Sequence, residues 1–255
     1  AKSLLTDLDS GKCVREIGVA SLYNNAGLIL WELNKKKEAI IALQKGLTQE
    51  LQKKDSLHSD VLGIYYNLLS FYQELGDYQQ SEHYLKLVRS NTLFNFQEDS
   101  SKLRRLHITE GILYRQIGDL TKSSKALSHA LDVNPYSEDS IEAVIHIEMG
   151  TTFSHFSEFD KSERSLLNAL ELSKNKYDLP YFRALDRLSA LKIAQGEYAD
   201  SENYLQHNLQ EKTKKYGSNS PLMLETLNKL SLLYFRINDL ESSQKYLSNA
   251  LELTK

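Results

Sequence analysis

Apolar residues recur along this chain at spacings of three and four, the pattern of helices that each bury one face. Short polar signals interrupt them: Asn34-Lys35, Gly76-Asp77, Gly118-Asp119, Ser157-Glu158, Gly196-Glu197 and Asn238-Asp239. Their first positions lie 42, 42, 39, 39 and 42 residues apart by subtraction. Gly or Asn fills most of these positions, and both tolerate the left-handed backbone that ends a helix. The acidic residue that usually follows suits the start of the next helix. Each signal therefore predicts a helix, a tight turn and a second helix.

The flanks repeat in register. Five residues after each turn stand Ala39, Ser81, Ser123, Ser162, Ser201 and Ser243, small enough for two helix backbones to approach closely. Nine after it stand Leu43, Leu85, Leu127, Leu166, Leu205 and Leu247. Thirteen after it come Leu47, Arg89, Leu131, Leu170, Leu209 and Leu251. Seven before it, Gly27, Leu69, Gly111, Gly150, Ser189 and Ser231 are mostly small. Four before it, Leu30, Tyr72, Tyr114, Phe153, Lys192 and Tyr234 are mostly aromatic.

These columns resemble the tetratricopeptide repeat, and the resemblance covers essentially the whole chain. It implies an all-α fold: a right-handed solenoid of antiparallel helix pairs with six full repeats and a leading partial helix. Repeat boundaries are expected at 13–53, 54–97, 98–136, 137–175, 176–215 and 216–255, all within one superhelical domain. The segment 1–12 reads as the tail of a preceding repeat, because Ser3-Leu4-Leu5 parallels Ser165-Leu166-Leu167. The chain is accordingly expected to be a fragment of a longer protein. Pro135 stands where the family often ends its second helix. The period departs from the family's usual 34 residues and is similar to that of kinesin light chains and bacterial signalling proteins. Leu22-Tyr23-Asn24-Asn25-Ala26 echoes a string of that subgroup. Extra residues are expected in the second helices and connectors, as at 49–60 and 211–220. Arg89 and Lys192 depart from the pattern by placing charge in apolar columns.

Composition narrows the function. The net charge of -3 lacks the basic footprint of a nucleic-acid binder. No apolar run reaches the 18 or so residues of a membrane span, and a cytoplasmic location is expected. Cys13 is the single cysteine, so no internal disulfide or multi-cysteine zinc site can form. No phosphate-binding glycine loop, nucleophile elbow or zinc-helix motif occurs, so the chain reads as no enzyme and calls for no cofactor. His146 falls on a packing face. Glu148 and His155 lie on the other face, where a metal would need a third ligand from elsewhere.

A binding role remains. The resemblance implies that the first helix of each pair lines a concave groove. Residues ten, nine, six, three and two before each turn would face it. Among them, Asn25, Trp31, Tyr66, Asn67, Arg115, Arg187, Asn228, Lys229, Phe235 and Arg236 carry the chemistry for a peptide. Amides at the place of Asn25 and Asn67 often clamp a peptide backbone in relatives, since an amide both donates and accepts. Aromatics and arginines are the usual energetic anchors of an interface. The basic residues gather in the later repeats and favour an acidic segment. The expected function is a protein- or peptide-binding scaffold or adaptor within a larger signalling or regulatory protein. The alternative is a ligand- or peptide-responsive sensor that controls an attached output domain, a bacterial transcription regulator or kinase. The apolar ends of the stack make homodimer formation through them a further expectation.

Overall fold

The structure is a computed structural model, and it describes residues 18–133 and 139–254. Cys13, Pro135 and the expected leading helix over 1–12 lie outside the described residues. The described residues are mostly helical, with no strand among them. They form two compact units, one through Asp119 and one from Leu120.

The first unit holds α1 (Val19–Glu32), α2 (Lys36–Leu51), α3 (Leu62–Leu75), α4 (Tyr78–Asn95) and α5 (Ser100–Ile117). The second holds α6 (Leu120–Asp132), α7 (Asp139–His155), α8 (Phe159–Ser173), α9 (Asp178–Gln195), α10 (Tyr198–Tyr216), α11 (Leu224–Arg236) and α12 (Leu240–Glu252). Consecutive helices α1–α2, α3–α4, α7–α8, α9–α10 and α11–α12 form close pairs.

All six turns adopt the backbone that the sequence requires. Asn34, Gly76, Gly118, Ser157, Gly196 and Asn238 have φ between 58° and 92°. At each, the next residue's N–H donates back to the carbonyl four residues before the turn, as in Lys35 to Leu30 and Asp239 to Tyr234. That bond satisfies a carbonyl the helix end would otherwise orphan. Asp77 and Asp239 then cap the next helix by accepting from the N–H groups of Gln80 and Ser242.

Small residues seal each pair. A Cβ built on Gly150 would lie 2.5 Å from Leu166 Cγ, and one on Gly27 would lie 2.9 Å from Leu43 Cγ. Ser162 Oγ donates to the Gly150 carbonyl at 2.8 Å. Ser189 and Ser201 join their hydroxyls at 3.0 Å. The leucine nine residues after the turn then reaches the next first helix. Leu166 clusters with Leu188 and Leu191 of α9, and Leu205 with Leu230 and Leu233 of α11.

The extra residues of the long period are accommodated in two ways. Helices α4 and α10 run to 18 and 19 residues. After α2 the chain instead forms a connector closed by a 3-10 turn, Ser59–Val61. Asn91 of α4, fully buried, holds that connector by donating to the His58 carbonyl at 2.9 Å.

Two glycines separate packing from propensity. Gly150→Ala is expected to lose about 1–3 kcal/mol through overpacking against Leu166, more than the ~1 kcal/mol that alanine gains in a helix. Gly63→Ala, in α3 with nothing within 4 Å of its Cβ, is expected to gain about 0.5–1 kcal/mol. Urea unfolding followed by circular dichroism should shift the two midpoints in opposite directions. A rise for both would mean that Leu166 yields without cost.

Candidate peptide-binding face

In the first unit, polar side chains join successive first helices. Asn67 of α3 donates its amide to Asn24 Oδ1 of α1 at 2.7 Å. Trp31 of α1 stacks on Phe71 of α3 with ring centroids 3.7 Å apart, and its indole N–H donates to Glu74 at 2.9 Å. The Lys36 ammonium covers the other side of that indole at 3.8 Å. Arg105 of α5 lies over the Tyr66 ring of α3 at 4.0 Å.

The second unit repeats the device with charge. Lys229 of α11 pairs with Asp186 of α9 at 3.1 Å and with Glu225 at 2.6 Å. Asp186 and Lys229 stand at the same two places before their turns as Asn24 and Asn67, so an ion pair replaces an amide pair. Asn208 of α10 also donates to Asp186, at 3.0 Å. Burial pushes the Asp186 carboxyl above its ordinary value, against the pull of Lys229 and Lys212. The buried Lys212 ammonium donates to Thr226 Oγ1 at 2.8 Å, and burial lowers its pKa. Glu148 of α7 is buried and pairs with Arg183 of α9 at 3.0 Å.

These contacts sort the five expected columns into two sets. Residues ten and three before the turn are buried or half-buried in α1, α3, α7 and α9, each followed in its own unit by a further first helix, α1 by α3, α3 by α5, α7 by α9 and α9 by α11. Trp31, only 5% exposed, and Tyr66 are therefore interhelical residues, not the open aromatic anchors expected of them. Arg115 is half-buried and engaged within the chain. Residues nine, six and two before the turn stay open or half-open, with Glu148 the exception. Asn25, Arg187 and Arg236 are exposed, and Asn67 and Lys229 are half-exposed but already bonded. Asn228 and Phe235 belong to the covered columns yet are exposed.

The two departures from the apolar pattern are both compensated. Arg89 of α4 forms an ion pair with the buried Glu110 of α5, which His107 also contacts at 3.0 Å. Burial pushes the Glu110 carboxyl up, but His107 and Arg89 outweigh it and hold the group below its ordinary value. Lys192 lies between Glu163 at 2.9 Å and Glu197 at 2.8 Å, which together raise its pKa.

Other chemistry is sparse. His146 is half-buried, and burial lowers its pKa. His155 is exposed beside Phe156. No three His, Cys, Asp or Glu side chains among the described residues are placed to hold a metal ion. Nor is any described helix long and apolar enough to cross a membrane.

Paired helices with left-handed turns, small residues at their crossing and a bridging leucine define an α-solenoid of the tetratricopeptide type. Sequence patterns of the tetratricopeptide repeat match residues 20–52, 62–88 and 181–255. The chain belongs to the tetratricopeptide repeat family. Its fold is similar to that of a tetratricopeptide repeat protein from Parabacteroides merdae, with a TM-score of 0.67 at 17% identity, covering 100% of this chain and 85% of that one. It is also similar to the apo form of the quorum sensor NprR from B. thuringiensis, with a TM-score of 0.64 at 14% identity over 100% of this chain and 81% of that one. A kinesin-light-chain-like repeat protein from Podospora anserina gives 0.60 at 14% identity, over 77% and 96% of the two chains. No curated protein matches the sequence.

Removing one member of a buried ion pair leaves the other uncompensated, whereas removing both often costs little. Arg89 is half exposed and His107 stays on Glu110, so Arg89→Leu is expected to lose about 1 kcal/mol or less at neutral pH, and the double variant Arg89→Leu/Glu110→Leu to recover most of that loss. The depressed carboxyl pKa fixes the pH dependence. The stabilisation from Glu110 is present above its unfolded value, near 4.5, and is lost as pH falls through the lower folded value. Denaturant melts of the wild type and Arg89→Leu should therefore converge below pH 4.5. A gap that stays constant with pH would sink this account.

Proposed function

We propose that the chain is a protein- or peptide-binding scaffold within a larger signalling or regulatory protein. The first-helix face of its second unit takes an acidic segment of the partner. One observation carries this reading. On that face the acidic residues Glu148, Asp186 and Glu225 are each held by a lysine or arginine of the chain. Arg187 and Arg236 are exposed; Arg187 lies near enough to Glu225 to help lower its pKa, and the one Lys229 serves both Asp186 and Glu225. Positive charge is thus left over where the open columns run, beside the exposed small residues Ala190 and Ala194. A carboxylate-bearing peptide meets complementary potential there, which speeds its encounter and rejects basic competitors.

A second reading, a ligand- or peptide-responsive sensor controlling an attached output domain, draws on the likeness of fold to the quorum sensor NprR. Solution scattering with bound peptide separates the two, since a sensor changes its profile at saturation and a rigid scaffold does not.

The test selects binders from a displayed random peptide library on the immobilised chain. Enriched sequences should be rich in Asp and Glu. Arg187→Glu/Arg236→Glu should weaken the best synthetic binder about tenfold or more, and added salt should weaken wild-type binding. Lys125→Glu, on the exposed side of α6, should leave the affinity unchanged. Equal affinity for the double variant and the wild type would move the site away from these arginines.

A further inference from the structure

Charged contacts join successive first helices of the second unit at fixed places. Glu148 of α7, nine before its turn, pairs at 3.0 Å with Arg183 of α9, thirteen before the next turn. Arg187 of α9 and Glu225 of α11 stand at the same two places with the charges exchanged. Glu225 does not pair across the helices, however. Its Oε1 accepts from Lys229, one turn along its own helix, at 2.6 Å. Lys229 above all, with Lys212 and Arg187 at longer range, holds the Glu225 carboxyl below its ordinary value.

Lys229 thus holds two carboxylates of unlike standing. Asp186 has 8% of its side chain exposed and also accepts from Asn208 at 3.0 Å. Glu225 has 69% of its side chain exposed. Residues thirteen before the turn are exposed or half-exposed in α3, α5, α7 and α9 as well, at Gly63, Arg105, Val144 and Arg183, so this exposure belongs to the column. An exposed pair four residues apart on one helix is weak, whereas a buried carboxylate deprived of its cation is costly. Of the two, Glu225 is the one that yields.

We infer that Glu225 is an internal competitor of the partner: its carboxylate occupies, against Lys229 and Arg187, the place that one carboxylate of the bound segment takes. This role rests on the reading of that face as a site for an acidic segment. On binding, Glu225 turns into solvent, Lys229 keeps Asp186, and the incoming carboxylate lies between Lys229 and Arg187. A lone carboxylate gains little there, because Glu225 is already in place without the cost of association. Only a segment with further contacts, as at Arg236, prevails. Glu225 therefore selects against isolated anions and raises the threshold for weak acidic partners.

Calorimetric titration with the best synthetic acidic binder tests it. Glu225→Gln keeps the size of the side chain and removes its charge, and it should tighten binding about two- to fivefold, as release of an exposed ion pair allows. Glu171→Gln, an equal charge change on the exposed side of α8, should leave the affinity unchanged. Each Asp or Glu of the peptide is then replaced by its amide in turn. The gain from Glu225→Gln should vanish at one peptide position and persist at the others, because only the carboxylate that takes the place of Glu225 is coupled to it. A gain spread evenly over the acidic positions reports a changed field alone and overturns the competitor. So does unchanged or weaker binding by Glu225→Gln while Arg187→Glu/Arg236→Glu still weakens binding tenfold, an outcome that leaves the acidic-segment reading standing. If the wild type enriches no acidic peptide, the same library is selected on Glu225→Gln. Acidic binders there support the competitor, and their absence overturns both readings together.

Discussion

The leucine nine residues past each turn is the contact on which the rest depends. It lies against the small residue of its own first helix, so closely at Gly150 and Gly27 that no Cβ fits without a shift. It also reaches the first helix that follows, as Leu166 reaches Leu188 and Leu191. One side chain thus closes a pair and joins that pair to the next. An isolated helix pair cannot bury this leucine, which is why such repeats gain stability only in stacks. The left-handed turns follow from the same requirement. The two helices must cross with their small residues opposed, and only a tight reversal brings residues seven before and five after the turn together. Ser157 adopts this backbone without the freedom of glycine, at φ 61°.

Apolar contacts set the spacing of the helix pairs, and polar contacts decide what the first-helix face of each unit offers. Joining first helices consumes amides and charges that would otherwise face a ligand. Asn67 and Lys229 both point to a groove by position, yet both already bond to the preceding first helix. The chain uses different chemistry for one geometric task, an amide pair in the first unit and an ion pair in the second. The ion pair is the more demanding choice, because Asp186 is buried and needs both Asn208 and Lys229 to offset its desolvation. With the local carboxylates engaged in this way, Arg187 and Arg236 are left exposed.

The repeat was legible in the sequence because its signals are local. A left-handed turn needs Gly or Asn, a helix crossing needs Ala, Ser or Gly, and three- and four-residue offsets put the columns on one face. Five of the six turn positions carry Gly or Asn, and the sixth, Ser157, is marked by its flanking columns. The groove was less legible. Residues ten, nine, six, three and two before a turn all avoid the packing columns, and helical periodicity alone does not say which flank meets the next helix. Trp31 reads as an open anchor for that reason, although Phe71 and Glu74, forty and forty-three positions away, cover it. The charged departures have their reason in nearby carboxylates. Arg89 and Lys192 each break an apolar column near an acidic residue of a neighbouring helix, Glu110 for one and Glu163 with Glu197 for the other.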